Sequence, residues 1–178
     1  ALLYELELIR KDGSWVWTEI SVSPHHDSSG TLIGYHGVTR DISEQKRLRD
    51  ELKRLATQDH LTGLSNRRHF FQQAALEFKR AILLHHPMAV VVLDVDYLKT
   101  INDNYGHPAG DEALQAFARV CSQNCREIDL ISRIGGDEFA LLMPETNRQQ
   151  ALAIIERIQA DLAVYPVSFM SQSLSQSP

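Results

Sequence analysis

A pair of glycines between two apolar segments constrains the fold of this chain more than any other feature. Residues 130–143 read LISRIGGDEFALLM, with a strand-like segment on each side of the glycines. Two such segments joined by a short glycine turn predict a β-hairpin, and therefore two adjacent antiparallel strands. The turn also carries two adjacent acids, Asp137 and Glu138. Neighbouring carboxylates repel each other, so a cation bound between them would explain the arrangement.

A second strand-like segment also ends in acids. The segment MAVVVLDV (88–95) is a continuous apolar run rich in valine, which is typical of a central strand buried on both faces. Asp94 ends this run, and Asp96 lies two positions further along, on the same side of an extended chain. If this strand lies beside the hairpin, Asp94, Asp137 and Glu138 converge at one edge of the sheet.

Such a group of acids favours a particular chemistry. Mg²⁺ prefers oxygen ligands and takes a few carboxylates together with water and phosphate. Carboxylates that hold Mg²⁺ at a sheet edge serve phosphoryl and nucleotidyl transfer. The absence of side chains at Gly135 and Gly136 would let a base or a phosphate approach the backbone closely. The alternative is that each acid is a surface turn residue, and spacing alone leaves that alternative open.

Helical and strand-like segments alternate from residue 66 onward, which predicts a sheet covered by helices. One helix is predicted over 66–84 and another over 147–163, and a third ends near Cys125 after a break. The break is predicted at Gly106, Pro108 and Gly110. The core-facing residues of the first helix are predicted to be Phe70, Phe71, Ala74, Phe78 and Ile82. Those of the 147–163 helix are predicted to be Ala151, Ile154, Ile155, Ile158 and Leu162.

The N-terminal part has a different pattern. Three alternating segments within residues 4–42 predict a small antiparallel meander, and a charged segment free of glycine and proline follows at 43–58. Leu48, Leu52 and Leu55 fall at the d, a and d positions of a heptad. Two interpretations stay open: a helix that pairs as a coiled coil, and a solvated linker helix with one apolar edge.

Composition excludes several classes of partner. The 178-residue chain has a net charge of −5 and lacks a basic footprint, so no nucleic-acid partner is expected. No apolar run reaches the length of a membrane span, so no membrane segment is expected in this chain.

Cys121 and Cys125 have no CxxC motif or Cys/His cluster around them. We interpret them as small core residues in a reducing compartment, rather than zinc ligands.

Several motifs in order resemble one known family. The segment IGGDEF (134–139) is the signature of GGDEF-domain diguanylate cyclases, and DHLTGLSNRR (59–68) is similar to the opening motif of that family. The segment DVDYLKTINDNYGHPAGDEAL (94–114) resembles its metal and guanine segment. Residues 4–42 resemble the C-terminal strands of a PAS sensor domain.

The resemblance implies a fold and a domain organisation. The fold would be α+β, a helix-covered and mainly antiparallel sheet similar to palm and nucleotide-cyclase domains, preceded by a three-stranded PAS fragment. The expected domains are 1–42 for the PAS strands, 43–58 for the linking helix and 59–178 for a GGDEF domain that is incomplete at its C-terminus.

The resemblance also implies an activity. Two GTP molecules would condense into cyclic di-GMP, with release of pyrophosphate, in a homodimer that presents one GTP per subunit. Mg²⁺ or Mn²⁺ would be held by Asp94, the carbonyl of Val95 and Asp137. Asp137 and Glu138 would be catalytic, Asp137 as the proposed proton acceptor. The setting would be bacterial second-messenger signalling in the cytoplasm.

The remaining site residues are implied in the same way. The expected substrate-binding residues are Lys99, Asn102, His107, Asp111, Gly135 and Gly136. An aspartate suits the N1–H and the exocyclic amine of guanine, and an amide suits its carbonyl and ring nitrogen. The segment REID (126–129) resembles the RxxD product-inhibition site, in which Arg126 and Asp129 would hold cyclic di-GMP. Alone, such a pair is usually a surface ion pair.

The chain departs from the family pattern near Phe169. The family continues with a strand, a hairpin and a last helix that supplies basic residues to the triphosphate, whereas this chain ends in SFMSQSLSQSP. We therefore expect a domain truncated at both ends, with a sheet edge and part of the core uncovered. The alternative function is a catalytically inactive fragment that binds cyclic di-GMP or dimerises.

Overall fold

The computed structural model describes residues 2–165 and divides the chain into two compact units, with the division between Arg54 and Leu55. The sequence also predicts the start of a strand in VYPVSFM (164–170) and a disordered polar tail in SQSLSQSP (171–178), and these segments lie mostly or wholly outside the described residues. Within residues 2–165, no helix is long and apolar enough to cross a membrane.

The first unit is a three-stranded antiparallel meander, as predicted. Strands β1 (Leu2–Ile9), β2 (Trp15–His26) and β3 (Leu32–Asp41) lie in the order β1-β2-β3. The β1–β2 turn needs Gly13, whose φ of 84° is in the left-handed region that favours glycine. In the same turn the Asp12 carboxylate accepts the backbone N–H of Ser14 at 2.9 Å.

Helix α1 (Ser43–Thr57) follows β3 directly and has no buried residue. Its first turns are held to the first unit by Lys46, whose ammonium lies 3.7 Å from the centre of the Trp17 ring and 2.7 Å from the Glu5 carboxylate. Leu48, Leu52 and Leu55 are all exposed, so an apolar stripe lies open along the helix. Both interpretations of this stripe, a coiled-coil contact and a solvated linker edge, remain predictions.

The second unit is a mixed α and β domain. Its elements in chain order are β4 (Ser65–Asn66), α2 (Arg67–Leu84), β5 (Met88–Asp94), α3 (Leu98–Tyr105), α4 (His107–Asn124), β6 (Leu130–Arg133), β7 (Glu138–Pro144) and α5 (Arg148–Val164). The strands form one sheet in the order β4-β6-β7-β5. Only the short β4–β6 pair is parallel among the described strands, so the sheet is mainly antiparallel and the predicted α+β fold class is confirmed.

The core lies on both faces of β7, because side chains alternate along a strand. Phe139, Leu141 and Met143 pack with residues of α4 and α5, and Ala140 and Leu142 pack against Phe70 of α2. The predicted core side of α5 is confirmed. Its buried or partly buried members are Ala151, Ile154, Ile155, Ile158 and Leu162.

The prediction that β5 is buried on both faces was wrong. In the described sheet β5 is an edge strand, paired only with β7, and its side chains alternate in exposure. Val90 and Val92 are 49% and 64% exposed, whereas Val91 and Leu93 pack against the core. The apolar pattern showed that both faces suit burial, but it carried no information on which elements cover them.

Two predictions on the helices also need correction. In α2, Phe70 and Ala74 reach the core, but Phe71, Phe78 and Ile82 are exposed, because the helix meets the sheet along a narrow stripe. The break before α4 is confined to Gly106. Pro108 lies in the first turn of α4, where a missing N–H costs nothing, and Gly110 is buried within the helix.

Candidate active site

The end of β5 lies beside the glycine hairpin, as the sequence predicted. In the antiparallel β5–β7 register Asp94 lies directly opposite Glu138. The pairing continues one residue further, where the backbone N–H of Val95 donates to the carbonyl of Asp137 at 3.1 Å. Backbone hydrogen bonding therefore brings the two acidic segments together at one end of the sheet.

The three acids do not form a closed cluster. Within residues 2–165, no group of three His, Cys, Asp or Glu side chains is arranged to hold a metal ion. Asp137 lies in the bend of the hairpin, and Glu138 is the first residue of β7. The two acidic segments therefore meet through their backbones, and of the three acids Asp94 and Glu138 lie opposite each other in the sheet. The expected convergence of all three carboxylates is not observed among the described residues.

The donor chemistry at this edge still suits a hard cation. Among the described residues, the carboxylates of Asp94 and Asp137 have no hydrogen-bond or ion-pair partner, and Asp94 is exposed. Mg²⁺ needs only one or two protein carboxylates and takes its other oxygens from water and phosphate. Asp94, Asp137 and the carbonyl of Val95 therefore fit an incomplete oxygen shell that a nucleotide could finish.

The structure of the hairpin turn explains why residue 135 is a glycine. The backbone N–H groups of Ile134 and Gly135 both donate to the carbonyl of Glu138, at 2.9 and 3.1 Å. The Glu138 side chain folds back over Gly135, where an added Cβ would collide with its carboxylate. At Gly136 nothing lies within 4 Å of such a Cβ, so that position is open to an approaching ligand.

An arginine that sequence reasoning missed braces this turn. Arg133 donates to the carbonyl of Gly136 from Nη2 at 2.6 Å and from Nε at 3.1 Å. Its Nη1 donates to Asp59 Oδ1 at 3.3 Å. Arg67 adds a bond from Nη1 to the carbonyl of Ile134 at 3.4 Å. The available signal was position alone, since Arg133 adjoins the signature and Asp59 opens the first motif.

Asp59 is itself held by a tight turn. Its Oδ1 accepts the backbone N–H of Thr62 at 2.9 Å and the Thr62 hydroxyl at 2.7 Å. Burial alone would raise the pKa of Asp59, but the bonds from Thr62 and the nearby Arg133 outweigh burial and lower the pKa below its ordinary value. Asp59 is therefore a stable anion that anchors Arg133.

The predicted guanine-binding residues lie on α3 and α4. Asn102 and Lys99 are on α3, His107 begins α4, and Asp111 is exposed in its second turn. The Asn102 carboxamide lies directly over the Cα of Gly110, where an added Cβ would collide with its oxygen and lie 2.9 Å from its Cγ. Because Gly110 lacks a side chain, the Asn102 carboxamide can lie over the residue that precedes Asp111 in α4.

An open cavity adjoins the acidic edge of the sheet. It has a volume of about 290 Å³ and is lined by the end of β5, including Asp94 and Val95, by Phe117 of α4 and by one side of α5. Its walls are largely apolar, with acids at one rim. Solvent can therefore reach the acids through this cavity, and no Lys, Arg or His side chain is among its described lining residues.

Arg126 and Asp129 contact each other. Nη2 and Nε of Arg126 lie 2.8 and 3.1 Å from the two Asp129 oxygens. The hydrogen bond with Asp129 raises the pKa of Arg126 above its already high value. The same guanidinium reaches Thr146, which was not predicted. The product-inhibition role of the pair stays a prediction.

Comparison with known proteins identifies the family of each part. The profile described as "Diguanylate cyclase, GGDEF domain" matches residues 56–177, and the profile described as "PAS domain" matches residues 2–44. The chain is 39% identical over 131 residues to "Diguanylate cyclase DgcM" of Escherichia coli, covering 74% of this chain and 32% of that protein. It is 44% identical over 117 residues to "Response regulator PleD" of Caulobacter vibrioides, covering 66% and 26%. The chain thus spans about a third or less of each of these two relatives.

Solved structures agree with this assignment. The GGDEF domain of PA1120 from Pseudomonas aeruginosa is 37% identical with a TM-score of 0.61, and the match covers 64% of this chain and 67% of that one. The coiled coil and GGDEF domain of DgcB from Caulobacter crescentus, in complex with c-di-GMP, is 31% identical with a TM-score of 0.60. That match covers 65% of this chain and 62% of that one.

Proposed function

Because the chain belongs to the GGDEF-domain family of diguanylate cyclases, we propose that it condenses two GTP molecules into cyclic di-GMP and pyrophosphate. The main support is the pairing of Asp94 with Glu138, together with the hydrogen bond from Val95 to Asp137. This pairing puts oxygen donors of two segments at one edge, next to a glycine turn open to a ligand. Since the chain spans only part of its relatives, the activity is a proposal for this polypeptide.

Asp94, the carbonyl of Val95 and Asp137 would hold Mg²⁺ or Mn²⁺. When bound, the ion would offset the charge of the triphosphate and polarise the α-phosphate. The two carboxylates fit because both lack protein partners within residues 2–165. The turn held by Arg133 would fix the position of Asp137 while the nucleotide binds.

Asp137 and Glu138 would handle the proton. The 3′-hydroxyl of one GTP loses its proton to a carboxylate, and its oxygen forms a bond to the α-phosphorus of the other GTP. The bond between the α-phosphorus and the bridging oxygen breaks, and pyrophosphate leaves with the electron pair. The reaction occurs twice to close the ring, so two half-sites must face each other and the proposed active form is a homodimer.

Asn102 and Asp111 would select guanine, with His107 and Lys99 nearby. Asp111 would accept the N1–H and amine donors of guanine, and Asn102 would pair with its acceptor atoms. Adenine would leave Asp111 poorly paired, and an unpaired polar group in a binding site discriminates strongly. The contact between Asn102 and Gly110 supports this role, because it places the amide over the residue that precedes Asp111.

Regulation would come from two regions, the N-terminal meander with α1 and the Arg126–Asp129 pair. The PAS-type meander and α1 would transmit a signal, and the exposed leucine stripe of α1 would support pairing of two chains. Arg126 and Asp129 would bind cyclic di-GMP and limit its own production. Use of GTP in bacterial second-messenger signalling places the proposed reaction in the cytoplasm.

A turnover assay with the purified chain tests the proposal. GTP and Mg²⁺ should give cyclic di-GMP and pyrophosphate, and Asp137→Ala should abolish both products. Glu156→Ala is the matched control, because Glu156 is an exposed acid on α5, outside the site. Equal turnover by Asp137→Ala and Glu156→Ala would rule the assignment out.

The second candidate function is a binding module without turnover. It is favoured by the intact Arg126–Asp129 pair. This candidate predicts that the chain binds cyclic di-GMP but converts no GTP, and that Arg126→Ala loses the binding. Calorimetry with cyclic di-GMP beside the turnover assay separates the two candidates.

A further inference from the structure

We propose that Thr146 is a positioning residue for Arg126, and that it holds Nη2 of the guanidinium so that Nη1 stays available to a bound phosphate. This inference rests on the proposed product-binding role of Arg126 and adds a residue to that site. Thr146 lies in the turn between β7 and α5, next to Asn147, which caps α5.

Within residues 2–165, Arg126 uses the Nε and Nη2 groups of its guanidinium. Nε donates to Asp129 Oδ2 at 3.1 Å, and Nη2 donates to Asp129 Oδ1 at 2.8 Å. Nη2 also donates to Thr146 Oγ1 at 2.6 Å and reaches the carbonyl of Pro144 at 3.3 Å. Within residues 2–165, Nη1 has no hydrogen-bond partner. Its two N–H groups are therefore available to an anion.

Burial separates the roles of the two charged residues. The Asp129 side chain is 0% exposed and the Arg126 side chain is 47% exposed. The same carboxylate also accepts the backbone N–H of Arg126 at 2.8 Å. Asp129 therefore lies behind the arginine, and the guanidinium presents the charge. A planar guanidinium suits a phosphodiester, because it donates charge-assisted hydrogen bonds in a fixed geometry.

The Thr146 hydroxyl is well placed to hold this orientation. It donates to the carbonyl of Pro144 at 2.9 Å, which leaves its lone pairs to accept from Arg126. Thr146 is buried, and its backbone N–H donates to the carbonyl of Pro87 at 3.2 Å. A fixed acceptor keeps the long arginine side chain ordered before a ligand arrives, so less conformational entropy is lost on binding.

Calorimetric titration of the full chain with cyclic di-GMP tests the proposal. Thr146→Val removes the hydroxyl at nearly constant volume, and we expect about tenfold weaker binding, typical of losing one hydrogen bond to a charged group. Thr146→Ser keeps the hydroxyl and should bind within about threefold of the unchanged chain. In an Arg126→Lys background, Thr146→Val should cause no further weakening, because lysine has no Nη2 to orient.

Three results would overturn the inference. They are unchanged binding by Thr146→Val, the same weakening in the Arg126→Lys background, and failure of the unchanged chain to bind cyclic di-GMP. The first two are judged against Thr146→Ser, which separates loss of the hydroxyl from a disturbed turn. The GTP turnover assay is independent of these titrations. Normal turnover with unaffected Thr146→Val binding refutes only this inference, and absent turnover with weakened binding refutes only the cyclase.

Discussion

Asp59 and Arg133 join the opening turn of the second unit to the acidic hairpin through a contact of 3.3 Å between Oδ1 and Nη1. Both side chains are largely buried, with 16% and 14% of their surface exposed. The remaining N–H groups that Arg133 uses go to the carbonyl of Gly136. One guanidinium therefore holds the turn that presents Asp137 and Glu138, and the anion that fixes it comes from a distant motif.

Replacing Arg133 with alanine should destabilise the second unit. The change leaves the carboxylate of Asp59 and the carbonyl of Gly136 without this donor, and we expect a loss of about 2 kcal/mol in the free energy of unfolding. Urea denaturation followed by circular dichroism at the helix band is the measurement. Tryptophan fluorescence would report on the other unit, because Trp15 and Trp17 are the only tryptophans.

Arg80→Ala is the matched control for that experiment. Arg80 forms a long ion pair with Glu77 at 3.7 Å on an exposed helix face, and such pairs contribute about 0.5 kcal/mol or less. If Arg133→Ala and Arg80→Ala lower stability equally, Arg133 does not brace the hairpin.

Replacing Gly110 with alanine should weaken GTP binding. The new Cβ would occupy the place of the Asn102 carboxamide, which must then move away from Asp111. We expect KM for GTP to rise about tenfold, the cost of one guanine hydrogen bond and its reorganisation. Steady-state kinetics of pyrophosphate release measure the change.

A double mutant provides the control for Gly110→Ala. In an Asn102→Ala background the collision is absent, so adding Gly110→Ala should leave KM nearly unchanged. Additive effects of the two changes would show that Gly110→Ala acts through the helix and not through Asn102.

Divalent metal alone should bind weakly, and metal together with nucleotide should bind well. The described site offers two free carboxylates and a carbonyl, and phosphate oxygens must complete the shell. In thermal unfolding, Mg²⁺ at millimolar concentration should leave Tm nearly unchanged, and Mg²⁺ with a non-hydrolysable GTP analogue should raise it. Asp94→Asn should remove most of that rise, and Asp50→Asn on α1 should keep it. A large rise with Mg²⁺ alone would contradict the proposed open shell.

The two cysteines should resist alkylation in the folded protein. Burial raises the pKa of the Cys121 thiol to about 12, and burial followed by the charge of Asp129 raises that of Cys125 to about 11. From an ordinary value of 9.0, the thiolate fraction of Cys125 at pH 8 falls roughly a hundredfold, and the alkylation rate falls with it. The protection should disappear in denaturant.

Iodoacetamide labelling followed by mass spectrometry measures both rates. The Cys121→Ser and Cys125→Ser variants assign each rate to one thiol. The pKa of the Cys125 thiol in the folded protein lies above its value in the unfolded chain. The stability that comes from keeping this thiol protonated is therefore present below about pH 9 and is lost as the pH rises through the folded pKa. Labelling of folded Cys125 at the rate of a free thiol would contradict this assignment.

The parts of the fold that could be predicted from sequence are those with a local signal. The glycine turn predicted the hairpin, the helical period predicted the buried side of α5, and the acids at two strand ends predicted the shared edge. The burial of β5 and of Phe71, Phe78 and Ile82 was predicted wrongly, because an apolar pattern shows which surfaces suit burial but not which neighbours cover them. The Asp59–Arg133 contact joins residues 74 positions apart and has no local pattern at all.

The hydrogen bond between Val95 and Asp137 has a consequence for how the proposed activity would be controlled. The ends of β5 and β7 that carry the proposed metal ligands are joined by backbone hydrogen bonds, so the proposed half-site of each chain would keep one geometry. A signal from the first unit would therefore act less by changing the shape of one half-site than by changing how often, and in which orientation, two half-sites meet. The rate of product formation would then depend on how two chains approach and orient each other, and no product would form until two half-sites met.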